Sequence, residues 1–270
     1  MRNRSVEKAF DILRCVSLHH DGIGLSEVSR AMGLDKATVF RYLNTMETLE
    51  ILEKKDNRYY LGMGLFELGN HVPGKRLIVN GIHPALRTLC EEVNETVNLA
   101  VLYNDRVLYL DKIESRRSLQ INSMIGGTVP LHCTALGKCI LSILPDQRTK
   151  SLLARLKLDR LTARTITDRR VLWDQIALIR DRNIGLDREE YEEGLICVAV
   201  PLRISSLDFY GAISLSGPVD RFTDPVLSAL TPRLQRVATE LVSRFDDRRP
   251  REAGTERATG WRAFRRVQAD

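Results

Sequence analysis

An α+β fold in two domains is the class this sequence predicts, and three observations predict it. Residues 26–49 read as two helices joined by a tight turn, followed by two short β-like runs around Asp56-Asn57. Residues 82–246 carry hairpin-linked strands with helices before and after them, the pattern of an antiparallel sheet with helices packed on it. A chain of 270 residues holds two domains of ordinary size.

The N-terminal domain is assigned to residues 1–65. Across residues 5–20, Val6, Phe10, Ile12, Leu13, Val16 and Leu18 form the apolar side of a first helix. Asp21-Gly22-Ile23-Gly24 reads as a turn. Ser26 caps a second helix with Val28, Ala31 and Met32 on its apolar face, and Gly33 ends it because glycine enters the left-handed conformation without steric cost. Asp35 caps a third helix, in which Val39, Tyr42, Leu43, Met46 and Leu49 keep the spacing of one buried stripe. Its opposite face carries Lys36, Thr38, Arg41, Asn44 and Thr45, donors that reach phosphates and base edges in a major groove. An ordinary helical hairpin with a solvated polar face has the same periodicity. The next segment separates the two readings: residues 51–55 and 58–61 flank Asp56-Asn57 as a β-hairpin. Three helices followed by a hairpin make a winged helix-turn-helix. Lys54, Lys55 and Arg58 stand near the hairpin tip, where they would touch the phosphate backbone of double-stranded DNA.

Composition narrows the remaining classes. Apolar residues make up 43% and charged residues 28%, the balance of a globular protein, and no run of about 18 apolar residues is present to span a membrane. The N-terminus has no secretory apolar region, so the expected location is cytoplasmic. Cys15, Cys90, Cys133, Cys139 and Cys197 form no C-x-x-C pair and have no His at zinc spacing, which argues against a disulfide framework or a structural metal. Net charge is +6, yet residues 1–75 hold 11 Lys and Arg against 10 Asp and Glu, so DNA binding would rest on a local basic face. No G-x-S-x-G, H-E-x-x-H or Walker loop occurs; before Gly137-Lys138, His132 stands where a phosphate loop has its first Gly, and Cys139 replaces Ser or Thr. No catalytic residue and no cofactor are expected.

Residues 66–81 read as a linker helix, preceded by Leu65 and interrupted at Pro73-Gly74. The C-terminal domain, residues 82–246, predicts a helix at 84–93, a hairpin from 97–103 and 107–110, and a short strand at 119–123. A helix at 133–144 follows, ended by Pro145, then a longer one at 168–182, strands at 196–201 and 209–215, and a closing helix at 222–245. Residues 247–270 are Arg-rich and poor in apolar residues, the composition of a disordered tail. The helix that starts near Thr134 points free N–H groups forward and favours an anion there. Ser214 and Ser216 alternate along a strand and so share a face.

These pieces resemble the IclR family of bacterial transcriptional regulators over about residues 5–246. The resemblance rests on Ala9, Ile12 and Leu13 in the first helix, Thr38-Val39-x-Arg41-x-Leu43 in the third, and Tyr60-Leu61-Gly62 after the hairpin. It continues through Gly127-x-x-Pro130-Leu131-His132-x-Thr134-Ala135-x-Gly137-Lys138, Leu161-Thr162-x-x-Thr165-Ile166, Glu190-x-x-x-Gly194-x-x-Cys197-x-Ala199-x-Pro201 and Ser214-x-Ser216-Gly217-Pro218. Three positions depart from the family pattern: Ala37 stands where Ser is frequent, and Glu50 and Asn183 stand where Gly is usual. The resemblance implies a GAF-like C-terminal domain that binds a small effector, here a carboxylate, and a homodimer or tetramer assembled through the linker. It implies an effector pocket built from the backbone N–H groups of Ala135 and Leu136 with Asp187, Cys197, Ser214 and Ser216. Leu119, Met124 and Ile125 are candidates for its walls. The expected function is an operator-binding regulator that controls a nearby metabolic pathway. Two other readings use the same residues: an enzyme acting on a small acid with an accessory helical domain, and an architectural DNA-binding protein with a purely structural second domain.

Overall fold

The computed structural model describes residues 2–72, 75–117 and 124–246, which form two compact units divided after Val72. The strand expected at 119–123, the break expected at Pro73-Gly74 and the tail at 247–270 fall outside or largely outside the described residues.

The first unit opens with helix α1 (Arg4–Ser17), capped by Asn3, whose side chain accepts from the N–H groups of Ser5 and Val6. Strand β1 (Ile23–Gly24) follows, where a turn was expected, then α2 (Leu25–Met32) and α3 (Lys36–Thr48). Gly24, not Ser26, occupies the cap position of α2: the Glu27 carboxylate reaches back to accept the Gly24 N–H at 2.7 Å. Gly33 takes φ 62° as expected, and Asp35 Oδ1 accepts the Thr38 N–H at 2.8 Å. Strands β2 (Leu52–Lys55) and β3 (Arg58–Leu61) form the hairpin, and β1 joins it to give the order β1-β3-β2. Asp56 and Asn57 both have positive φ, the conformation a two-residue turn needs to match strand twist. Ile12, Val16, Ile23, Val28, Val39, Leu43, Met46, Leu52 and Tyr59 fill the core. The expected stripe on α3 is therefore shorter than its spacing suggested: Tyr42 is half-buried and Leu49 is exposed, because the helix ends before Leu49 faces inward.

Glu50 takes the left-handed conformation that glycine would take after α3, with φ 57°. The N–H of Ile51 donates to Met46 O and that of Glu50 to Glu47 O, the two bonds of a left-handed C-terminal cap. Gly62 and Gly64 lie directly against the Glu50 carbonyl, and a Cβ at Gly62 would come within 2.3 Å of that oxygen. The unit closes with α4 (Met63–Asn70).

The second unit begins with α5 (Lys75–Val93), so the expected linker helix at 66–81 is instead the end of α4 and the start of α5. Pro84, expected to open a helix, lies inside α5. Strands β4 (Thr96–Tyr103) and β5 (Arg106–Ile113) form the expected hairpin, followed by β6 (Thr128–Pro130) and α6 (Ala135–Ser142). Helices α7 (Asp146–Arg155) and α8 (Arg169–Arg182) come next, then β7 (Gly185–Arg188), β8 (Leu195–Ile204), β9 (Phe209–Pro218) and α9 (Asp224–Asp246). Asn183 ends α8 with φ 53°, in the left-handed conformation that glycine enters most easily. The six strands run antiparallel in the order β6-β5-β4-β9-β8-β7.

Alternation along the strands assigns each sheet face. Val97, Leu99 and Val101 of β4, Val198 and Val200 of β8, and Ile213 and Leu215 of β9 pack against α5 and α9. On the opposite face Ala100, Ala199 and Ala212 are small enough for α6 to lie close, with α7 and α8 covering the rest. Gly137 allows a still closer approach, of α6 to Leu131: a Cβ there would sit 2.3 Å from Leu131 O. Two residues further along each strand, the α6 face changes from alanine to Asn98, Cys197 and Ser214.

Candidate functional site

In the first unit the exposed side of α3 presents Lys36, Ala37, Phe40, Arg41 and Asn44, with Thr38 half-buried at its edge. Among the described residues no acid pairs with Arg41; its Nη2 lies 3.5 Å from Thr38 Oγ1. Lys54 and Lys55 are exposed on the hairpin, and the Lys54 ammonium lies 5.4 Å from the centroid of Tyr59. Arg58 does not belong with them. Its Nε and Nη2 donate to Gly22 O at 3.2 and 2.8 Å, Nε also reaches Asp21 O at 3.0 Å, and Nη2 lies 3.4 Å from the Glu27 carboxylate. The expected phosphate contact is thus a brace tying β3 to the segment before α2. Arg58→Lys, which keeps the charge and loses the planar fork, should lower thermal stability of the winged unit by about 1–2 kcal/mol. The slope of DNA affinity against salt should stay as in the wild type, since loss of a phosphate contact reduces that slope by about one unit. Melting curves and gel-shift titrations over a salt series measure both.

In the second unit Ala135, Leu136, Asp187, Cys197, Ser214 and Ser216 all line one cavity, together with Tyr109, Thr134, Tyr191, Glu192 and Leu195. The strand register explains the convergence. Ser216 lies opposite Cys197 and Cys197 opposite Asp187, so these three form one row across β9, β8 and β7. Asn98 lies opposite Ser214, and its Nδ2 donates to the hydroxyls of both Ser214 and Ser216 at 3.4 Å. Helix α6 points its N-terminus into the same space. Thr134 Oγ1 accepts the Gly137 N–H at 3.1 Å and donates to Pro130 O at 2.8 Å. The N–H groups of Ala135 and Leu136 have no acceptor within the helix. Met124 and Ile125, expected as walls, are exposed and outside the cavity lining, and Leu119 lies outside the described residues.

Asp187 is buried, and burial pushes its carboxyl up to about 7, against the Glu190 N–H bond at 2.8 Å that favours the charged form. Burial likewise raises the Tyr109 phenol and the Cys197 thiol well above their usual ranges, with Asp187 adding to both shifts. The volume free inside the cavity is about 20 Å³, room for about one water.

Further contacts fix the loop that follows β7, whose Glu190 N–H donates to Asp187. Lys138, fully buried on α6, meets Glu190 Oε1 at 2.5 Å. The hydroxyl of Thr165 donates to Glu190 O and that of Thr162 to Glu189 O, both at 2.7 Å. The motifs around Lys138, Thr162 and Glu190, far apart in sequence, are therefore one assembly whose product is the position of Asp187. Asn98 and this ion pair were not foreseen as parts of the site. A polar Asn inside the apolar run Val97–Tyr103 was the available signal for the first; the second left only the motif residues themselves.

Residues 5–56 match the IclR helix-turn-helix domain, and residues 71–243 match the family described as bacterial transcriptional regulator IclR C-terminal. The chain is 33% identical to the HTH-type transcriptional regulator KdgR of Escherichia coli over 88% of this chain and 90% of that protein. The crystal structure of Thermotoga maritima IclR aligns with a TM-score of 0.73 at 30% identity, covering 90% of this chain and 99% of that one. An IclR homolog of Microbacterium hydrocarbonoxydans, crystallised with 4-hydroxybenzoate, shares the fold at a TM-score of 0.76 and 22% identity, over 87% of this chain and 98% of that one. The C-terminal family model and KdgR are those of transcriptional regulators, which sets aside the enzyme reading. With a winged helix-turn-helix followed by a unit built on an antiparallel sheet, the chain belongs to the IclR family of bacterial transcriptional regulators and is a DNA-binding regulator.

Proposed function

We propose that the chain binds an operator through Lys36, Thr38, Arg41 and Asn44 of α3 with Lys54 and Lys55 of the wing, and that a small carboxylate held in the second unit changes that binding. The observation that carries the proposal is the convergence of six residues from α6, β7, β8 and β9 on one cavity. The carboxylate meets the N–H groups of Ala135 and Leu136 at the positive end of α6. The hydroxyls of Ser214 and Ser216, held from below by Asn98, complete its hydrogen bonds. Asp187 takes a hydroxyl of the effector. A carboxylate needs more than the space for about one water, so the loop bearing Tyr191 and Glu192 gives way on binding, and the effector selects an opened arrangement of the unit. The regulator acts in the cytoplasm as a homodimer or tetramer on a two-fold related operator, with the exposed Met63, Phe66 and Leu68 of α4 as contact surface, and it controls a neighbouring metabolic pathway.

Asp187 supplies the test. A carboxyl raised by burial is neutral in the folded unit where it would be ionised in the unfolded chain. Its contribution to stability is full below about pH 4 and is lost as pH rises toward the folded value of about 7. A carboxylate placed nearby favours the neutral acid further. Calorimetric titration with a panel of small hydroxy- and keto-acids should find one whose affinity falls as pH rises from about 6 to 8, by up to about tenfold per unit. Asp187→Asn should bind the same acid with a flat pH profile. Binding of that acid with no pH dependence in the wild type removes Asp187 from the site.

A further inference from the structure

On α3 one exposed side chain does not fit a face made of hydrogen-bond donors. Phe40 is 47% exposed, while its neighbours along the helix, Val39 and Leu43, are fully buried. It belongs neither to the core of the winged unit nor to the partly buried side chains packed on that core. Lys36 precedes it by one helical turn and Asn44 follows by one turn, so Phe40 stands in line with both on the exposed side, between the core-facing stripe and Arg41. Ala37, also exposed, lies three residues earlier and extends the apolar spot.

A phenyl ring has no donor or acceptor to offer phosphates or the polar edges of guanine, adenine and cytosine. In the major groove the apolar feature of a base edge is the C5-methyl of thymine. We infer that Phe40, backed by Ala37, reads a thymine methyl in each operator half-site, at a different base edge from the one that Arg41 contacts. This inference rests on the reading of α3 as the helix that enters the groove. Phe40 and Arg41 leave the helix at nearly the same level, about 1.5 Å apart in rise, and about 100° apart around it, so they address different base edges of one half-site. The ring covers the methyl and displaces water from it, an interaction that discriminates by shape and apolarity where Arg41 discriminates by hydrogen bonds. Phe40 is in this sense a specificity-determining residue of the DNA interface.

The probe is the tightest-binding duplex that the full-length wild-type protein selects from a random-sequence library. Each thymine in it is replaced in turn by uracil, which removes the methyl alone. One uracil position per half-site should weaken wild-type binding by about three- to tenfold, the effect of exposing one methyl. Phe40→Ala should weaken binding to the thymine duplex by a similar factor and become indifferent to uracil at that position, a non-additive pair. Phe40→Leu, which keeps an apolar side chain, should retain part of the uracil sensitivity. Unchanged helical content and melting temperature are expected for both variants because the ring is outside the core. Uniform tolerance of uracil at every position overturns the inference, as does Phe40→Ala retaining full uracil sensitivity. Arg41→Ala separates this failure from a wider one. If Arg41→Ala weakens binding while the uracil scan is flat, α3 is the reading helix and Phe40 has no part in base recognition. If Arg41→Ala also binds as the wild type, the assignment of α3 to the groove falls and the inference with it.

Discussion

Lys138→Ala is expected to destabilise the second unit by about 3–5 kcal/mol, the cost of leaving a buried carboxylate without its partner. Lys138 is fully buried and Glu190 nearly so, and the pair is closed at 2.5 Å. Burial already raises the Glu190 carboxyl, and Lys138 is the first group that opposes the rise. Without Lys138 the acid must take up a proton to remain inside. The deficit of the variant should therefore shrink as pH falls, whereas a variant harmed only by lost packing would keep its deficit. The paired replacement of Lys138→Met with Glu190→Leu should recover most of the stability, because two apolar side chains need no mutual neutralisation. It should not recover effector binding, since the loop after β7, whose Glu190 N–H holds Asp187, loses its tie to α6. Urea titrations at pH 5 and pH 8, on the single and double variants, measure each part.

Gly137→Ala is the second large effect. The new Cβ would meet Leu131 O at 2.3 Å and Leu131 Cα at 2.6 Å. Both atoms are backbone, so no side chain can rotate away, and α6 has to move off the segment that follows β6. The expected cost is about 3 kcal/mol, the upper part of the usual range for an overpacked core. The displacement also carries the N–H groups of Ala135 and Leu136 away from the serines, so effector affinity should fall along with stability. Thermal melts establish the first effect. Titration well below the melting temperature establishes the second.

The elements that could be read directly from the sequence are those whose signal is local. Asp35 before α3, Gly33 after α2 and Asp56-Asn57 in the wing each act within a few residues, and each does in the structure what its chemistry implies. Glu50 and Asn183 keep their left-handed turns because the surrounding chain demands them; Gly62 and Gly64 leave space for the Glu50 carbonyl. Ser26 and Leu49 differ from expectation by a shift of a helix end, and other residues because their partners lie far along the chain. Arg58 sits near the hairpin tip in sequence, but its acceptor Gly22 is 36 positions earlier, on a segment that continues into a strand of two residues, too short to show a period. Strands β6 and β7, of three and four residues, were missed for the same reason. In the candidate pocket the alternation of Ser214 and Ser216 was visible, yet only the pairing of β4 with β9 places Asn98 beneath both.

Filling the pocket of the second unit should change the DNA affinity of the first, and a titration on bound DNA shows it. The carboxylate identified by calorimetry is titrated into the complex of the full-length protein with its selected duplex, and bound DNA is followed by fluorescence anisotropy at fixed salt. The wild type should change its DNA affinity over the same concentration range in which it binds the acid. Ser214→Ala and Ser216→Ala should each shift that range upward by about tenfold to a hundredfold, the loss of one hydrogen bond to a charged group, with unchanged DNA affinity when the acid is absent. Serine variants that respond to the acid at wild-type concentrations would contradict the account.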